Sequence, residues 1–163
     1  IKKNLKDFTN VIIEPVAIAN KAEKRNFYFV KSESIAKLGK HWASGIGSFD
    51  KNHLLNHKSK RFKIEESDIE TIEIECLTFD DIVKKYQICE IEKMIIDIEG
   101  SEYEILKDID LQKIKISNIL FEFKHFDGVF QTGDKLKEII NKFEKNNYKT
   151  SKIDEENMLA VKK

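Results

Sequence analysis

Two cysteines, one proline, one tryptophan and six glycines are all that 163 residues hold of these types. Cys76 and Cys89 have neither zinc nor redox spacing, so reduced structural thiols in a cytoplasmic protein are expected rather than a disulfide scaffold or a metal module. No apolar run approaches the roughly 20 residues that cross a bilayer, and nothing at the start reads as a signal peptide. Charge of one sign is missing too. Lys plus Arg and Asp plus Glu are both 29, which leaves no net field to draw nucleic acid or an anionic membrane. The largest local excess is basic, at residues 57–63, and is too short to argue for nucleic acid. Internal repeats and low-complexity linkers are absent.

What remains is one domain's worth of chain, long enough to bury a core, with 36% charged residues interspersed by sign as on a solvated surface. It begins at Ile1 without a Met, partway into what reads as an amphipathic helix over residues 1–8, so a preceding segment is expected. Residues 11–19 predict a first strand, interrupted at Pro15, which cannot donate to a ladder. A polar turn follows at 20–25 and an aromatic strand at 26–30. Residues 31–68 show no sustained period, the pattern of an irregular insertion or lid, with Trp42, Ser48 and Phe49 as its substrate contacts. Gly45 and Gly47 follow no strand and lack the third glycine of a dinucleotide fingerprint, so a phosphate loop is rejected. His53 and His57 are four apart, yet no acid joins them at helical spacing, so a solvated helix surface is preferred to a metal site.

Residues 70–77 alternate as a half-buried strand, and Thr78 caps a helix with Asp80 and Asp81 in its first turn and Lys84 and Lys85 in its last. The stretch that organises the chain comes next. Met94 to Ile96 form an apolar run, read as a strand covered on both faces; Asp97 and Glu99 end it on one side; Gly100 turns; and Ser101 with Glu104 predicts a capping box for a helix with the stripe Tyr103, Ile105 and Leu106. Residues 116–125 form another strand, apolar at first and polar at its end, where Glu122 and His125 stand. Leu136, Ile139, Ile140 and Phe143 mark a helix, and residues 148–153 and 158–161 a closing hairpin. Strands alternating with helices predict an α/β domain over residues 1–163 whose sheet is mostly parallel with an antiparallel C-terminal edge strand. In such sheets ligands bind beyond the carboxyl ends of the strands, which is where these acids and His125 fall. The helix dipole also favours acids ahead of a helix, so a purely structural role competes with this reading.

Residues 96–106, 42–50 and 121–125 together resemble the FkbM family of S-adenosylmethionine-dependent methyltransferases, and the first is close to its signature of aspartate, any residue, glutamate, glycine, any residue, acid. The resemblance runs from about Asn10 to the end. It implies a Rossmann-like class I methyltransferase fold, a small-molecule or glycan acceptor and transfer of a methyl group to a hydroxyl of a sugar or secondary metabolite. It places Val16 and Ala17 near the adenine of S-adenosylmethionine, Asp97 and Glu99 where the family's fourth strand meets the crevice, and Glu122 and His125 at the end of its fifth. The family's glycine-rich loop and its ribose-binding acid have no counterpart here and would precede Ile1, making this an N-terminally truncated, partial domain. Under this reading His125 is the general base, Glu122 orients it or holds a hydroxyl, and Asp97 and Glu99 bind acceptor hydroxyls. A divalent cation on these acids is the less favoured option, no metal ligand is assigned, and a homo-oligomer is compatible with the sequence. The alternatives are a non-catalytic methyltransferase-like binding module, an inactive fragment, or a nucleotide-sugar-binding domain.

Overall fold

The computed structural model describes residues 7–38, 44–56, 58–59, 62–98, 100–128 and 131–163. In chain order these form β1 (Ala17–Ile18), β2 (Glu23–Val30), α1 (Ser32–Leu38), β3 (Gly47–Ser48), α2 (Lys51–Asn56), β4 (Lys58–Ser59), β5 (Phe62–Lys63), a 3-10 turn (Glu66–Asp68) and β6 (Ile69–Leu77). Then follow α3 (Phe79–Lys85), β7 (Glu90–Ile96), α4 (Glu102–Asp108), β8 (Lys115–Glu122), α5 (Asp134–Lys145), β9 (Tyr148–Lys152) and β10 (Asn157–Lys162).

The C-terminal sheet has the order β7-β8-β10-β9. β7 and β8 run parallel with Ile96 opposite Phe121, joined through α4, while β10 lies antiparallel between β8 and β9. Ile116, Ile119, Phe121, Ile139, Tyr148 and Ala160 are fully buried in the core that α4 and α5 cover. The Phe121 ring meets Phe126 at 5.9 Å and Phe143 at 5.7 Å, and the Tyr148 hydroxyl donates to the Ile116 carbonyl at 2.6 Å, so its buried oxygen is satisfied. At the end of α4 the Lys142 ammonium donates to the carbonyls of Leu106, Lys107 and Ile109 at 2.8, 2.6 and 2.6 Å. A cation there meets both the unpaired acceptors and the negative end of the helix.

The second sheet has the order β1-β6-β2-β3. β2 and β6 pair antiparallel from Glu23 opposite Cys76 to Val30 opposite Ile69, and β1 joins β6 in parallel. The excursion between β2 and β6 is tied at its base. The Asp68 carboxylate accepts from the Ser34 hydroxyl at 2.9 Å and from the Glu65 N–H at 3.0 Å, and the Lys31 N–H donates to the Asp68 carbonyl at 2.9 Å. Val30, Ile46, Leu54, Ile64 and Ile69 form a small core beneath it.

Several expectations change. The domain is α/β, but its two larger sheets are mixed rather than mostly parallel: β1 with β6 and β7 with β8 are the parallel pairs among the described residues, and the others are antiparallel. The C-terminal strand β10 is interior, and β9 is the edge. Of the strand expected at 11–19 only Ala17 and Ile18 pair, and Ile12 is 69% exposed, because no described strand lies beside residues 11–16. Of the turn expected at 20–25, residues 20–22 turn while Glu23 to Arg25 are already strand, since the long register with β6 carries polar residues into β2. Among the described residues β7 is an edge strand, and with Ile95 63% exposed it is not covered on both faces. The expected strand at 70–77, the Thr78 cap and the closing hairpin all form. Thr78 and Asp81 make a reciprocal capping box, the Asp81 N–H donating to the Thr78 hydroxyl at 3.1 Å and the Thr78 N–H to the Asp81 carboxylate at 3.0 Å. Both cysteines are free, Cys76 buried and Cys89 exposed.

Candidate functional site

The site begins where β7 stops. Asp97 and Ile98 lead to Gly100, whose φ of +108° lies where L side chains are strained, and α4 starts two residues later. The expected Ser101 and Glu104 capping box does not form. Ser101 makes no side-chain cap bond, Glu104 is exposed, and Glu102 does the work instead. Its fully buried carboxylate accepts from the Ile98 N–H at 2.7 Å and the Gly100 N–H at 2.9 Å. A carboxylate at the first helical position reaches back to those loop donors more directly than one a further two residues on. Burial raises the Glu102 pKa against the pull of these N–H groups, with the Asp97 charge adding to the rise.

The parallel register of Ile96 with Phe121 places Asp97 and Glu122 at neighbouring strand ends. Asp97, Glu102 and Glu122 each bring one oxygen within 4.8 Å of the others. Glu122 also faces His125, with 3.9 Å between Oε2 and the imidazole Nε2, and Lys124, whose Nζ is 3.8 Å from Oε1 and 3.2 Å from Glu156. Both Glu122 and His125 are nearly buried, their side chains 11% and 13% exposed. The oxygens suit a hard cation in kind, but Glu102 is engaged by backbone donors and Glu122 faces the Lys124 ammonium and the His125 ring, so we assign no ion to them. Gly100 fits closely over this end of β8: a Cβ there would lie 3.8 Å from the Cβ of His125.

Val16 and Ala17 at β1, Ser48 and Phe49 at β3, and Asp97 and Ser101 at the end of β7 line one cleft of about 610 Å³. Phe27, Phe29, Ile46 and Ile72 make its other wall apolar. Phe27 meets Phe49 edge-on at 5.4 Å, and the Arg25 guanidinium lies 4.1 Å over the Phe49 ring. Gly47 lets the Phe27 ring cross the strand, because a Cβ there would stand 2.4 Å from it. The structure thus unites the expected adenine-side residues with the expected acceptor-side residues and Asp97. Glu122 and His125 are absent from the described lining and lie against Asp97 and Gly100 instead. Trp42, Glu99 and His57 fall outside the described residues. A smaller hollow of about 330 Å³ between Asn20, Thr78 and Asp108 holds none of the expected site residues.

A family model described as the methyltransferase FkbM domain matches residues 2–150. The chain belongs to the FkbM methyltransferase family. No curated protein and no solved structure gives a match. In this FkbM domain two residues outside the sequence assignments stand at the site. Glu102 occupies the last acidic position of the signature, which was the signal for it, and its role in bracing the turn was not legible. His53, expected on a solvated helix surface, is half-buried, and its ring lies 5.3 Å from that of His125 at 78°. No sequence pattern announces a contact across that separation.

Proposed function

We propose that this FkbM domain transfers a methyl group from S-adenosylmethionine to a hydroxyl oxygen of a sugar, glycan or secondary metabolite. The observation that carries the reading is the single cleft shared by Val16, Ala17, Ser48, Phe49 and Asp97. Its apolar wall and its volume suit a flat heteroaromatic ring beside Val16 and Ala17, so those residues with Asp97 are assigned to hold the cofactor. When bound, S-adenosylmethionine supplies a methyl group already activated as a sulfonium.

The protein's part is then to position the acceptor and take its proton. Asp97 faces the cleft and is assigned to hold the acceptor hydroxyl, with Glu99 beside it in sequence, and Trp42, Ser48 and Phe49 are assigned to the acceptor's body. His125, held 3.9 Å from Glu122 beyond the end of β8, is assigned as the proton acceptor. The neutral imidazole would take the proton that the acceptor hydroxyl gives up on methylation, and the Glu122 carboxylate would balance the imidazolium. The divalent-cation variant has no step in this scheme. Calorimetric titration of S-adenosylmethionine and S-adenosylhomocysteine, followed by methyl transfer to hydroxylated acceptors, tests it. Saturable binding is expected, with His125→Ala lowering turnover by roughly 100-fold or more while sparing cofactor affinity; unchanged turnover removes His125 as the base.

A second reading rests on the free edge of β7, where Ile95 is largely exposed and no second partner strand lies among the described residues. An uncovered apolar edge suits a domain that binds or assembles without catalysis, or a fragment. Titrating the 163-residue chain beside a form extended upstream separates these. Binding by the extended form alone favours the fragment, and binding by neither favours the non-catalytic module.

A further inference from the structure

We propose that His53 is a positioning residue for His125, through which the loop that meets the acceptor sets the orientation and titration of the base. The inference deepens the methyl-transfer reading and rests on it for its kinetic part. Its structural part stands on α2. This helix is short, but its start is tied and its middle is anchored in the core. The Ser48 hydroxyl accepts from the Asp50 N–H at 3.1 Å, and the Asp50 carboxylate accepts from the Asn52 N–H at 2.9 Å, so the helix start is registered on the strand that lines the cleft. Leu54 is fully buried in the small core beside Ile46 and Ile64. Neighbouring side chains on a helix point about 100° apart. With Leu54 committed to the core, His53 turns to another side, where its ring meets His125 edge to face.

The groups around the two imidazoles make this contact electrically consequential. On the β8 side stand Glu122 at 3.9 Å from His125, then Lys124 and, across from Lys124, Glu156. From the β7 and α4 side come Asp97 and Glu102, whose carboxylates gather with that of Glu122. From α2, His53 faces His125 among the described residues. Two imidazoles at this separation titrate as a pair, since the second proton enters beside the first charge. The acids favour protonation of His125, and a protonated His53 ring beside it opposes it. Because α2 is tied to Ser48, an acceptor that shifts Ser48 and Phe49 moves His53 with them.

The test is a proton titration of the protein followed by NMR at the His125 imidazole, on wild type, His53→Phe and His53→Asn. His53→Phe keeps a ring in the edge-to-face contact and removes the second titrating group, so folding is retained. The paired titration should collapse to a single step for His125, with its pKa shifted upward in both variants. The same His125 titration in wild type and both variants overturns the proposal. With methyl transfer measured, His53→Asn should lower kcat roughly 10-fold or more by misorienting the base and move the acid limb of the kcat profile, leaving S-adenosylmethionine affinity unchanged. An altered kcat with an unmoved pH profile would make His53 a packing residue only and overturns the inference. If His125→Ala retains full turnover, the base assignment fails, whereas the NMR coupling of the two rings is decided independently.

Discussion

In β8 the residues Ile116, Ile119 and Phe121 are fully buried, whereas in β6 Ile72 is 42% exposed and Ile69 and Cys76 are the strand's buried apolar residues. The C-terminal sheet is covered by α4 and α5, and its aromatic rings interlock from Phe126 through Phe121 and Phe143 to Tyr148. The other sheet is covered by its own excursion, over a core of Val30, Ile46, Leu54, Ile64 and Ile69. The difference bears on the site. Asp97 and Glu122 stand at strand ends, Glu102 at the start of α4 and His125 just beyond β8, all in the deeply packed half, where positions are held by many neighbours. Phe27, Phe29, Ser48 and Phe49 stand in the thinner half, where local opening costs less. The strand-end acids and His125 thus lie in the more tightly packed half, and the cleft wall able to adapt lies in the other.

Truncating the centre of each core gives the largest expected effect. Phe121→Ala should cost about 3–5 kcal/mol, in the upper range for cavity-forming changes, and Leu54→Ala about 2–4 kcal/mol, both by urea denaturation. Hydrogen exchange then separates the halves. Leu54→Ala should raise exchange mainly over residues 23–77, and uniform acceleration through β8 and β10 would show that the two cores unfold as one unit. Tyr148→Phe keeps the ring and leaves the buried Ile116 carbonyl without its donor, at a cost of about 1–3 kcal/mol; no loss would mean the carbonyl is met another way.

The smallest effect is the dependence on pH at Glu102. Burial puts its folded pKa above the unfolded value, so the folded state binds the extra proton and stability falls as pH rises from about pH 4 through the raised pKa. Glu102→Gln should flatten that part of the stability profile. An unchanged slope would mean that the carboxylate's backbone donors already offset its burial.

How much was legible follows the range of the interaction involved. The capping box at Thr78, the apolar stripe of α5 and the closing hairpin are local patterns, and each formed where the sequence placed it. The carboxylates at the end of β7 and the polar end of β8 were legible as separate strand ends, and the resemblance to the FkbM family linked both to one crevice. Pairing was less legible: apolar residues 11–16 read as strand because propensity does not reveal whether a neighbour exists. Ser101 and Glu104 made a plausible cap, but buried Glu102 competed for the same turn and won.

By itself the sequence determined the alternation of strands and helices, the positions of Gly100 and the acids around it, and the family to which the chain belongs, because these depend on residues close together along the chain. Only the tertiary structure decided that Val16 and Asp97 line one cleft, that β10 enters between β8 and β9, and that His53 reaches His125. Those contacts depend on which strands pair and on how an irregular excursion folds back over its own core. They form when burial and long-range hydrogen bonding outweigh the entropy of closing the loops between them.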